Sequence, residues 1–285
     1  MKSTDSSEII RNLKEQVGNL NKTIEDLNGK LKESENMKSN FISNVMNEIY
    51  NPFSSILSLS QNIISLDSNN LPKAISLAET IFDEASTLDF DLKNIFAAAR
   101  IESGLETPII KKINFNNLIN DVVETCQYLA IKKKIEVVIS KNIHEEMFSC
   151  KSDTDFLFQV IVNVLNNAIK FGPENSIVEI DFSISEKEIE LQIKDQGPGI
   201  KLDDKLRIFD RFKKLDASVN SINCGYGLGL SVAQALLEML GGSINSLDDI
   251  ETGCIISIII PQSEISNLDD DNNDIVIFDA DEETF

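Results

Sequence analysis

The run "FQVIVNVLNNAIKF" carries Asn163, Asn167 and Lys170 at i, i+4 and i+7, so on a helix the three share one face. Two carboxamide oxygens and an ammonium suit a phosphate chain with magnesium: hard oxygens for the metal, a point charge for phosphate. A solvated polar face would show the same residues, so this run decides nothing alone. In "KDQGPGI", Asp195 is able to accept a hydrogen bond from an exocyclic amino group such as adenine's, and Gly197 and Gly199 let backbone approach a flat ring. In "CGYGLGLSVAQALLEML", Gly225, Gly227 and Gly229 open a helix whose free N–H groups and dipole attract phosphate. A dinucleotide-binding fingerprint needs an apolar strand just before its glycines, but the polar "DASVNSIN" stands there, and no GxxxxGK run occurs.

These residues need a frame. Asp153 to Phe171 reads as a long helix capped by Asp153 or Thr154. "IVEIDFSI" and "EIELQIKD" alternate on either side of the turn "SEK", predicting a hairpin. "KINF" and "IEVVIS" predict short strands, Asn116 to Ala130 a helix, and "SIIIP" a closing strand after the helix that follows "GLGL". The mixture predicts an α/β sandwich of one sheet and one helical layer.

Upstream, Ile10, Leu13, Val17, Leu20, Ile24, Leu27 and Leu31 alternate steps of three and four, predicting a coiled coil over 9–36 that Gly18 and Gly29 weaken. Phe41 and Val45 continue the pattern to Pro52, which should bend or loosen the helix. After the turn "LDSNNLP", Ile75, Ala78, Phe82, Ala85, Leu88, Leu92, Ile95 and Ala99 form a second stripe. Two such hairpins bury their stripes most simply as a dimeric four-helix bundle. The expected fold class is therefore α+β, with a coiled coil and helical hairpin preceding the α/β sandwich.

The net charge is −21, and the tail from Ser263 holds nine acids with no Lys or Arg. An acidic surface repels phosphate backbones, so nucleic acid is not an expected partner. No apolar run approaches the ~20 residues that span a bilayer. "MKSTDSSEIIRN" lacks the apolar segment of a signal peptide. A cytoplasmic chain is expected, one that is compatible with belonging to a larger membrane-associated sensor. Cys126, Cys150, Cys224 and Cys254 have no paired spacing, which points to neither a disulfide framework nor a zinc site. His144, in "KNIHEEM", has no partner cluster and reads as a loop residue.

Taken in order from Asn116 to Pro261, the segments resemble the ATP-binding domain of sensor histidine kinases, in the superfamily of gyrase-type ATPases and ninety-kilodalton heat-shock chaperones. "NVLNNAIKF" resembles the N box, "DQGPGI" the first glycine box, "IFDRF" the F box, "GYGLGL" the second glycine box and "GCIISIIIP" the final strand. The resemblance implies ATP and Mg2+ as cofactors and Asn167 as the magnesium ligand. It puts Asn163 where kinases carry Asn and the related ATPases a glutamate base. It puts Lys170 at phosphate, Asp195 at adenine, and Phe209 and Phe212 at the base of a mobile lid, "KKLDASVNSINC". Phe171, Gly197, Gly199, Gly225, Gly227, Gly229 and Leu230 complete the implied nucleotide-binding set. The implied domains are a coiled-coil signalling linker over 1–38, a dimerisation and phosphoacceptor hairpin over 39–104, the catalytic ATP-binding domain over 105–262, and an acidic linker with a possible receiver start over 263–285.

The family's acceptor pattern is close to F-x-x-x-x-x-H-E-(L/I)-(R/K)-(T/N)-P. Phe41, Glu48, Ile49, Asn51 and Pro52 match it, whereas Asn47 falls at the histidine and Tyr50 at the basic position. Neutral imidazole has a lone pair for the γ-phosphorus; an amide nitrogen shares its own with the carbonyl. Glu48, the implied base or orienter, has no imidazole to orient. The expectation is a pseudokinase that binds Mg-ATP and dimerises without autophosphorylation at Asn47. Three readings stay open beside it: an active kinase with an engineered Asn47, against which the second departure at Tyr50 counts; a receiver phosphatase using Glu48 and Asn51; and an ATP-gated dimer switch for a downstream output domain. A stand-alone gyrase-like ATPase is disfavoured by Asn163. The implied partners are a second copy and a response-regulator receiver domain, in cis or in trans. "IVIFDADEETF" resembles a receiver's first strand, with Asp279 and Asp281 as its acids and Ala280 interrupting the usual adjacent pair.

Overall fold

The computed structural model describes residues 2–67, 70–140, 149–185, 187–200, 205, 207–209, 228–247 and 253–262. The chain divides into two units, one of Met1–Glu102 with Asp210–Leu228 and the other of Ser103–Phe209 with Gly229–Phe285. Among the described residues, no helix is long and apolar enough to cross a membrane.

In the first unit, α1 (Lys2–Ile64) is one helix of 63 residues, and α2 (Leu71–Glu102) packs along it. α1 runs through Pro52. A proline removes one N–H and crowds the carbonyl four residues back, which does not end a helix whose flanks are held by packing. At the turn, the Asn70 carbonyl accepts from Ala74 N at 3.1 Å and starts α2. On α1, Ile49, Pro52, Ile56, Leu59 and Ile63 are half-buried. A second apolar stripe one residue further round is exposed: Met46, Tyr50, Phe53, Leu57 and Ile64, with Ile75, Phe82 and Phe96 on α2. The stripe expected on α2 therefore divides. Ile75, Ala78, Phe82 and Ala85 are exposed, whereas Leu88 and Leu92 are half-buried and Ile95 is buried. Two successive steps of three, at 82–85 and 85–88, carry the stripe onto a different face. The seam residues Val17, Leu20, Ile24 and Leu27 are 49 to 62% exposed.

The second unit is built on a five-stranded mixed sheet of order β2-β4-β5-β7-β6. Its elements are β1 (Lys111–Asn114), α3 (Phe115–Lys133), β2 (Glu136–Ile139), β3 (Ser149–Ser152), α4 (Thr154–Phe171), β4 (Ile177–Ile184), β5 (Glu188–Asp195), α5 (Gly229–Met239), β6 (Ser243–Leu247) and β7 (Cys254–Pro261). β2 runs parallel to β4; the other pairings are antiparallel. β1 and β3 form a separate antiparallel pair. Val178, Ile180 and Phe182 of β4 and Ile189, Leu191 and Ile193 of β5 are buried between exposed or half-buried neighbours, the period of two of a one-sided strand. Leu157, Ile161, Leu165 and Ile169 of α4 are fully buried in this core. The rings of Phe115 and Phe182 meet edge to face at 5.6 Å and 81°.

Local capping moved some predicted boundaries. The Asn114 side chain accepts from Asn117 N at 3.1 Å, so α3 starts at Phe115 and the strand read in "KINF" loses its last residue. α3 ends at Lys133, with Lys134 in the left-handed region at φ 55°. Asp153 caps α4 as expected, Oδ1 accepting from Phe156 N at 3.0 Å. Its Oδ2 accepts from Ile109 N at 2.6 Å, tying the segment before β1 to the start of α4. β3 and β6 were not predicted; "SCKS" and "SINSL" lack the apolar alternation that announces a strand.

Candidate functional site

α4 gives the site its axis. Asn163 is buried at 1% exposure, Asn167 and Lys170 are half-buried one and two turns on, and Phe171 is exposed at the end. The first turn of α5 packs beside Asn163: a Cβ on Gly229 would lie 3.5 Å from Asn163 Oδ1. Leu230 follows, half-buried. Asn163 and Gly229 are thus brought together from segments far apart in sequence. Phe209 is half-buried in a short 3-10 turn, Arg207–Phe209, that packs on α5.

The other end of α4 meets the end of β5. A Cβ on Gly197 would stand 3.0 Å from the Phe171 carbonyl oxygen. Gly197 N donates to Asp195 Oδ1 at 2.7 Å, and the Cys254 backbone N–H also bonds that carboxylate. Burial pushes the Asp195 carboxyl above its usual range, and the two N–H donors pull against that shift. Gly199, at φ +73°, packs with its Cβ position 3.0 Å from the Gly253 carbonyl oxygen. Gly253, at φ +100°, lies where a Cβ would run into the Asp195 carbonyl. This second wall of the corner was missed, since one glycine in "ETGC" reads as an ordinary turn. Burial, and then the charge of Asp195, push the Cys254 thiol up to about 11, with Ser246 and Lys205 opposing.

Lys133 was also missed. Its Nζ donates to the carbonyls of Ile169 at 3.0 Å, Lys170 at 2.5 Å and Gly172 at 2.8 Å. Burial draws its pKa down, while Glu174 acts to raise it.

Asn47, Glu48 and Asn51 lie within about one turn of α1, in the first unit, just before Pro52. Asn51 is exposed. Phe212, Gly225, Gly227, the lid segment, His144 and the tail from Ser263 lie outside the described residues.

This donor set fits an adenine nucleotide. The base's amino group needs a hydrogen-bond acceptor beside a wall with no side chains, and Asp195, Gly197, Gly199 and Gly253 could supply these. Among the described residues no group of three or more His, Cys, Asp or Glu could hold a metal. A hard cation beside Asn167 would complete its shell with phosphate oxygens and water, as magnesium commonly binds.

The family model described as histidine kinase-, DNA gyrase B- and HSP90-like ATPase matches residues 152–264. The sensor protein KdpD of Clostridium acetobutylicum is 27% identical over 233 residues, covering 81% of this chain and 25% of that protein. The heme sensor protein HssS of Staphylococcus haemolyticus is 24% identical over 259 residues, covering 90% of this chain and 54% of that protein. The chain thus spans a quarter to about half the length of these curated relatives. Among solved structures, the Acinetobacter baumannii histidine kinase AdeS aligns with TM-score 0.55 at 19% identity, over 76% of this chain and 98% of that one. The histidine kinase ThkA, solved with the response regulator protein TrrA, aligns with TM-score 0.55 at 24% identity, over 78% of this chain and 60% of that one. At these identities the two structures speak for the fold. Residues 152–264 match the histidine kinase-, DNA gyrase B- and HSP90-like ATPase family, and over most of its length the chain is similar to sensor histidine kinases and shares their fold.

Proposed function

We propose that this chain is a dimeric, ATP-binding, histidine-kinase-like signalling module that does not phosphorylate itself at position 47. The observation that carries the proposal is Asn47, an amide without a nucleophilic nitrogen, set between Phe41 and Pro52 in an otherwise matching acceptor pattern. The corner formed by Asp195 and Gly197 supports adenine as the base bound. Asn167 offers one oxygen for Mg2+, and Lys170 a charge for phosphate. Mg-ATP, when bound, supplies an activated γ-phosphoryl group. The chain's own residues then hold the base at Asp195, exclude side chains at Gly197 and Gly199, and present α4's polar face to the phosphates.

The exposed stripes on α1 and α2 support the second copy as the partner that covers them. A receiver domain is the proposed downstream partner; a response regulator accompanies ThkA in its solved complex. The proposed divisions are those at 38, 104 and 262.

The test is incubation with γ-labelled ATP and Mg2+. No acid-labile label should appear on the wild-type chain, and Asn47→His should gain it. Label on the wild type would refute the proposal, and an unlabelled N47H would mean that degeneration extends beyond the acceptor. Asn51 is exposed on α1, one helical turn beyond position 47, which favours a receiver phosphatase as the second reading. Adding the chain to a phosphorylated cognate receiver should then hasten loss of its phosphate, and Asn51→Ala should abolish the effect.

A further inference from the structure

Lys133 closes α3, yet its ammonium serves α4. The last carbonyls of a helix have no partner within the helix, and a cation at that end is favoured by the helix dipole. Here three converging carbonyls, those of Ile169, Lys170 and Gly172, take all three donors of one ammonium at 2.5 to 3.0 Å. The clasp is reciprocal, because Asn175 N donates to the Lys133 carbonyl at 3.4 Å. Ile135, two residues after Lys133, leaves only 3.2 Å between its Cδ1 and the Cβ position of Gly172, which keeps that end of α4 closely packed.

One carbonyl in this turn is left out of the clasp, that of Phe171. It lies 3.0 Å from the Cβ position of Gly197. Gly197 N in turn holds Asp195 Oδ1 at 2.7 Å. The last turn of α4, held by Lys133, therefore lies close beside the backbone of Gly197, whose N–H holds the carboxylate placed to read the base. The carbonyls on both sides of Phe171 are fixed by the same ammonium, so the height of Phe171 over Gly197 is fixed with them.

We propose that Lys133 is a positioning residue for base recognition, which sets the last turn of α4 against Gly197 and so aims Asp195 at the exocyclic amino group of adenine. The proposal rests on the ATP-binding reading above. Lysine suits the task because its three donors radiate from a point, whereas the planar fork of arginine matches a flat bidentate acceptor.

The experiment is titration of the whole chain with ATP and with GTP, both with Mg2+, for wild type, Lys133→Met and Lys133→Arg, with melting followed by circular dichroism. K133M should weaken ATP by about tenfold, the scale of one lost or misaimed charged hydrogen bond. GTP, which lacks that amino group, should change far less, so the ATP-to-GTP preference collapses. K133R should recover part of the preference. An ATP affinity within twofold of wild type in folded K133M overturns the proposal. Equal weakening of both nucleotides overturns it too, because that marks a general loosening of the domain. If K133M melts below the assay temperature, Lys133→Gln, which keeps two N–H donors without the charge, is judged by the same ratio. A wild type that binds neither nucleotide refutes the ATP-binding reading itself and this proposal with it, and is told apart because it needs no variant.

Discussion

Asp195 meets two opposed demands. In the proposed role an ionised carboxylate is the stronger acceptor for an exocyclic amino group, while burial at 8% exposure penalises the charge. A carboxyl raised in the folded state stabilises the fold most when protonated, and that contribution is lost as pH rises through its folded pKa. Asp195→Asn should therefore hold or raise the melting temperature at pH 7, while weakening ATP at least tenfold. The stability difference from wild type should shrink as pH is lowered and wild-type Asp195 takes up its proton. Melting curves from pH 7 down to pH 4, paired with an ATP titration at pH 7, check both halves. Asp195, Gly197 and Gly199 stood out as candidates because a carboxylate and two glycines within five residues restrict the chemistry sharply, and the structure brings the three to one corner. Lys133 and Gly253 did not stand out. A lysine in "IKKK" looks like a solvated helix end, and its acceptors lie 36 to 39 residues away in the chain.

The start of α4 is as tightly held as its end. Asp153 uses one oxygen for the helix cap and the other for Ile109 N, and the residue is 5% exposed. Asp153→Ala removes both bonds and leaves a buried N–H without an acceptor. The expected loss is about 2 to 4 kcal/mol, with Asp153→Asn closer to wild type; urea unfolding measures it. Caps and strong alternation made α4, β4 and β5 readable in advance. Where the signal was weaker the reading slipped: β3 and β6 are too polar and short, and the α2 stripe changes face where two steps of three follow one another. These elements are decided by pairing and packing, which a local pattern does not carry.

At the scale of the molecule, apolar surface is concentrated on the helices. Leu20 and Leu27 are 62 and 58% exposed on the seam of α1. Charges at both positions should break a pairing that runs along this seam. The double substitution L20E/L27E should shift sedimentation toward the monomer, while ATP affinity, which depends on the other unit, stays within about twofold of wild type (0.4 kcal/mol on the affinity scale). The hydrophobic period of the sequence changes near residue 105. The closure of the nucleotide corner by Gly253 was not legible in the sequence, because it joins β5 to the start of β7 across nearly sixty residues.

The unbroken course of α1 has a mechanical consequence. A helix of 63 residues is a rod about 95 Å long that carries torsion as well as length. Each residue removed turns everything beyond it by about 100°, so a deletion of four swings the far end by some 40° and one of seven by only about 20°. The stretch between the leucine seam and position 47 therefore works as an indexing gear. Its residue count fixes which way Tyr50 and Asn51 face, and length changes in sevens alone leave that bearing nearly as it was.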